Sequence, residues 1–100
     1  MVIIVTCRIP GAKARANRLA RAASEELARY FKRIVLVEWV LEEDAGYTIA
    51  RCRVHSQSGY YRAGGAGTDM NEALVQALHR LEKQRRRKKA IRVSRRRTAE

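Results

Sequence analysis

One hundred residues are enough for one domain with a single hydrophobic core, and too few for a second. Lys and Arg number 22 against 10 Asp and Glu, a formal net charge of +12. The two cysteines, Cys7 and Cys52, exclude a disulfide framework, and no apolar run approaches the ~20 residues that span a bilayer.

The first residues, Met1 to Thr6, lack a charged region followed by a long apolar one, so a cytoplasmic protein is expected. The cations are clustered, with eight from Arg8 to Arg33, three from Arg51 to Arg62 and eleven from Arg80 to Arg97. Such clusters repel themselves, and a polyanion, nucleic acid or an anionic membrane, relieves the repulsion. Two basic helices followed by a basic tail favour nucleic acid over a merely solvated face.

Val2 to Thr6 is a β-branched run closed by Pro10 and Gly11, the pattern of a buried strand and a turn. From about Lys13 to Lys32 a helix is predicted: Ala16, Leu19, Ala20, Ala23, Leu27, Tyr30 and Phe31 fall in one arc, with Arg15, Arg18, Arg21, Arg29 and Lys32 opposite. Ile34 to Leu41 is a second strand, with Val35, Val37, Trp39 and Leu41 on its core side, and Glu42, Glu43, Asp44 and Gly46 turn it into a third. In Tyr47 to His55, Thr48, Ala50, Cys52 and Val54 should face the helices, and Tyr47, Ile49, Arg51, Arg53 and His55 the other way.

Tyr60 to Ala63 forms a short last strand before a flexible turn at Gly64, Gly65 and Gly67. Asp69 caps the final helix, with Glu72 reaching back as in a capping box, and Met70, Ala73, Leu74, Ala77, Leu78 and Leu81 form its apolar stripe. The stripe stops at Leu81, so this helix should run off the body, with Arg80, Lys83 and Arg87 in a lane beside the apolar face. Residues 1–89 are read as the domain and 90–100 as a mobile, disordered basic tail. The expected fold is α+β, in the order β-α-β-β-β-α: a four-stranded mixed sheet in sequence order with both helices packed on one face. Cys7 and Cys52 then lie on strands that are not neighbours, which disfavours a disulfide between them.

The segment Thr68-Asp69-Met70-Asn71-Glu72-Ala73-Leu74, followed by Leu81-Glu82-Lys83-Gln84, resembles the last helix of the ribosome hibernation family, the small-subunit interface proteins that include hibernation-promoting factor and ribosome-associated inhibitor A. The likeness covers roughly Val2 to Lys89. It implies the same element order, and binding to small-subunit ribosomal RNA between head and platform, where messenger and transfer RNA would otherwise sit. The implied activity is translation inhibition in stress or stationary phase, by occlusion. The family's phosphate-contacting residues correspond to Arg80, Lys83 and Arg87, and less firmly to Arg15, Arg18 and Arg21. Lys13 stands where the family has a capping Thr. The basic stretch from Ala90 replaces the acidic tail or dimerising domain of other branches. Family members are also called modulators of an alternative sigma factor.

The principal expected RNA site is Arg80, Lys83, Arg85, Arg86, Arg87, Lys88 and Lys89, with Arg15, Arg18 and Arg21. Secondary candidates are Arg29, Lys32, Arg51, Arg53, Tyr60 and Arg62; Tyr60 and Tyr61 offer stacking, although filling the exposed sheet face is the simpler role. The cationic sides of the two helices are expected to form one surface. No nucleophile with a base, no metal spacing at His55 or His79, and no phosphate loop at the glycines is recognised, so no enzyme, cofactor, metal or small-molecule substrate is expected. The chain should be a monomer off the ribosome. A general binder of double-stranded or structured RNA, and a protein-interaction module acting on transcription, are the alternatives.

Overall fold

The computed structural model describes the backbone of residues 1–99 and side chains as far as Arg87. Its elements are β1 (Val2–Cys7), α1 (Lys13–Leu27), β2 (Ile34–Asp44), β3 (Tyr47–Ser56), β4 (Gly59–Gly67) and α2 (Met70–Ala99). The strands form one sheet in the order β1-β2-β3-β4, with β1 parallel to β2 and the other pairs antiparallel. The predicted α+β arrangement is therefore the observed one.

Alternation places the core. Val37, Trp39, Leu41, Ala50, Cys52, Val54 and Tyr61 are buried in one cluster with Ala16, Ala20, Ala23 and Leu27 of α1 and Met70, Ala73, Leu74, Ala77 and Leu81 of α2. Both helices thus cover the same face of the sheet. Within that core the indole N–H of Trp39 donates to Ser24 Oγ at 2.9 Å, and the Ser24 hydroxyl donates to the Ala20 carbonyl at 2.8 Å. The only indole of the chain is satisfied by a serine that sits inside an otherwise apolar helix face. Burial pushes the Cys52 thiol well above its ordinary range, leaving an unreactive small hydrophobe. Cys7 and Cys52 are free thiols on strands separated by β2.

Three expectations need correction. Helix α1 ends at Leu27 rather than running to Lys32: bonds from Arg29 N to Glu26 O and Tyr30 N to Leu27 O tighten the chain into turns, and Arg33, just before β2, adopts a φ of 50°. Phe31 is still buried, edge-on to Tyr61 at 4.7 Å. Val35 is 57 % exposed although it shares the parity of Val37, because the β2–β3 register shifts between Ile34 and Leu36. The glycines are no turn: Gly64, Gly65 and Gly67 lie inside β4 and pair with Arg51, Ala50 and Thr48. A Cβ on Gly65 would lie 2.3 Å from the Ala73 carbonyl oxygen and 2.7 Å from the Ala77 nitrogen, so bare backbone here lets α2 lie directly on the strand.

Helix α2 is continuous to Ala99, and the backbone of 90–99 is helical. Arg and Ala, good helix formers, make up six of the ten residues of this segment and it has no Gly or Pro, so loss of apolar periodicity does not end the helix. The last buried residue among those described is Leu81, and the helix stays against the body for a further turn, where Gln84 hydrogen-bonds to Arg62 of β4.

The start of α2 is built as its sequence indicates. Glu72 N–H donates to Asp69 Oδ1 at 2.8 Å, while Glu72 Oε2 accepts from the backbone N–H and hydroxyl of Thr68, one residue earlier than a capping box requires. Helix α1 has no side-chain cap; Ala12 stands at its N-cap.

Candidate nucleic-acid interface

Helix α2 is held at the free edge of β4 by a row of side chains one turn apart. Ala66 N–H donates to Gln76 Oε1 at 3.4 Å, Arg80 Nη1 donates to the Gly64 carbonyl at 2.6 Å, and Gln84 both donates to the Arg62 carbonyl at 2.6 Å and accepts from Arg62 N–H. These groups of β4 point away from β3, and α2 takes the place of a fifth strand. The row fixes the lane beside it. Arg80, Lys83 and Arg87 line a shallow depression of about 330 Å³ with Ala63, Gly64 and Gln84.

The expected cations have different fates. Lys83 and Arg87 are exposed, and among the described residues neither makes an ion pair. Arg80 is engaged with Gly64, so it both anchors the helix and contributes charge. Arg86 pairs with Glu82 at 2.7 Å; this hydrogen bond holds the Glu82 carboxyl below its ordinary range and raises the Arg86 guanidinium. Arg85 is half-buried, and its Nε is shielded from water without a hydrogen-bond partner, so it belongs more to the body than to the lane. The side chains of Lys88 and Lys89 lie outside the described residues.

On α1, Arg15, Arg18 and Arg21 are exposed on the side opposite the buried Ala16, Ala20 and Leu27. They lie on the solvent side of a helix that packs against α2 as well as against β1 and β2, while the α2 lane adjoins the edge of β4. Arg29 pairs with Glu26 at 3.5 Å, and Lys32 is exposed in the turn after α1.

The open face of the sheet carries the remaining candidates in cross-strand register: Arg53 opposite Arg62, His55 opposite Tyr60, and Arg51 opposite Gly64. Glu42 lies between Arg51 at 3.1 Å and Arg8 at 3.6 Å, while Glu38 meets Arg53 only at 3.9 Å. The Glu42–Arg51 approach is an ion pair without the alignment of a hydrogen bond. The rings of His55 and Tyr60 stack at 4.4 Å with 17° between their planes. Tyr61 turns into the core, whereas Tyr60 is exposed.

Among the described residues no cluster of His, Cys, Asp or Glu could hold a metal ion, and no helix is long and apolar enough to cross a membrane. The architecture defines the chain as a member of the β-α-β-β-β-α class, two helices on one face of a four-stranded sheet with cations at one sheet edge. No family profile matches the sequence, and no curated protein matches it. Solved structures do. A ribosomal subunit interface protein from Coxiella burnetii superposes with a TM-score of 0.73 at 19 % identity, over 90 % of this chain and 99 % of that one. The N-terminal domain of Protein Y from Thermus thermophilus superposes with a TM-score of 0.74 at 23 % identity, over 87 % and 98 %. At these identities the shared property is the fold, over nearly the whole length of both neighbours.

Proposed function

We propose that this protein binds the small ribosomal subunit through its RNA, in the channel between head and platform, and inhibits translation by occupying the space of messenger and transfer RNA. The observation that carries the reading is the α2 lane, where Lys83 and Arg87 are held exposed and without an acidic partner among the described residues. One neighbour in fold is named as a ribosomal subunit interface protein, which supports the same destination. Phosphate contacts of this kind position a protein on folded RNA without reading bases, so recognition is by shape. On this reading the protein acts in the cytoplasm without a cofactor or a catalysed reaction, and is a monomer off the ribosome. Residues 90–99 extend the basic helix, and contact with RNA is the role proposed for them.

The test is sedimentation of the protein with ribosomal subunits at several salt concentrations. Arg80 is unsuitable for substitution because it also holds β4, so the informative variant joins Lys83→Ala to Arg87→Ala. It should bind the small subunit more weakly, with the salt dependence reduced by roughly 1.5 logarithmic units for two lost phosphate contacts. Wild-type protein that fails to travel with the small subunit at low salt overturns the reading. Equal affinity for any RNA duplex replaces it with a general RNA binder.

A further inference from the structure

We infer that the open face of the sheet is a second RNA site, which takes an unpaired nucleotide by stacking its base on the Tyr60–His55 pair and holding its phosphate with Arg62 and Arg53. The inference rests on the proposed RNA-binding role for its class of ligand, but it uses none of the helical residues.

Three features of this face support it. The first is the ring pair, with Tyr60 65 % exposed and already parallel to His55. Every base has a π-face, so an ordered aromatic surface binds unpaired nucleotides with little preference for sequence. The second is the place of the cations. Arg53 and Arg62 form the adjoining cross-strand row, so they flank the rings as charges flank a base in a nucleotide. Among the described residues Arg62 has no ion pair, and the Arg53–Glu38 contact is long and solvent-exposed, hence readily exchanged for a phosphate.

The third is shape. Arg53, Tyr60, Tyr61 and Arg62 line a depression of about 460 Å³, within the usual size range of small-ligand sites. The acids on this face do not close it: Glu42 is held by Arg8 and Arg51, and Glu38 is the remaining carboxylate against Arg53 and Arg62. An adjoining groove containing Arg51, Arg53 and Arg62 shares Ala63 and Gly64 with the α2 depression. Cationic surface therefore continues around the β4 edge, from the helix lane to the ring pair, over a position with no side chain. A single strand can follow that path, whereas a rigid duplex on the helices cannot turn the edge.

The experiment measures binding of the full chain to labelled oligouridylate and oligoadenylate of about eight nucleotides, within the span that single-strand sites cover. Fluorescence anisotropy is followed over a range of salt, and thermal unfolding confirms that each variant is folded. Tyr60→Leu should weaken binding about ten-fold or more with an unchanged salt slope, and Tyr60→Phe should restore it. Arg62→Ala should lower the slope by about 0.7. Binding that tolerates Tyr60→Leu overturns the inference, and if it still depends on Arg62 the face is a general anion surface suited to an acidic peptide.

The two readings fail separately. Loss of oligonucleotide binding in Tyr60→Leu, together with no ribosome association by the wild type, leaves the sheet site standing without the ribosomal role. Ribosome binding sensitive to Lys83→Ala and Arg87→Ala, with oligonucleotide binding indifferent to Tyr60, does the reverse.

Discussion

Ser24 is the residue at which sequence pattern and structure diverge most instructively. On a helical projection it is a polar interruption beside Ala20, Ala23 and Leu27; in the fold it is fully buried and accepts the Trp39 indole N–H. Ser24→Ala leaves that donor buried without a partner, which should cost about 1–3 kcal/mol. Chemical denaturation read through Trp39 fluorescence measures it, and an unchanged midpoint would show that water replaces the hydroxyl. Periodicity could not identify this pair, since it sorts residues by face and says nothing of which polar group in the opposite layer needs an acceptor. The core residues themselves were legible because Ala16, Ala20, Leu27, Val37, Trp39 and Leu41 obey the 3.6- and 2-residue periods closely. Val35 obeyed the period and is exposed, because a register shift is not encoded in alternation.

Among the elements, β4 and α2 act as a unit. The three glycines suggested a turn to composition alone, yet their role depends on an approach of two backbones that only a three-dimensional arrangement reveals. Gly65→Ala should destabilise the domain by about 3 kcal/mol, since the new methyl meets helix backbone rather than a movable side chain. Gly64→Ala is the control: its Cβ would lie 3.4 Å from the Ala50 carbonyl oxygen, an ordinary contact, and thermal unfolding should separate the two variants widely. The same coupling explains why the α2 lane was only half legible. Its cations were identifiable from spacing, but the Gln76, Arg80 and Gln84 row that ties them to the strand edge is visible only once β4 is known to be the last strand. The early end of α1 was likewise unreadable, because Tyr30 and Phe31 keep helical spacing after the backbone has left the helix.

At the scale of the whole molecule, topology and strand order were legible because each connection offers few choices: a crossover after β1, then two hairpins with two-residue loops. The amount of charge was legible from composition. A net charge of +12 on one small domain opposes its own folding, so salt should act in opposite senses on two measurements. Raising ionic strength should increase the melting temperature of the free protein while weakening its hold on RNA, and a melting temperature that falls with added salt would contradict the account of self-repulsion. The helix along β4 has one more consequence. A sheet that offers two bare sides can be extended by its own kind without end, as fibres are; here one side is already occupied from within, and only β1 remains to accept a strand. Edge-to-edge pairing of sheets can therefore join at most two copies, through β1, and cannot continue into a filament.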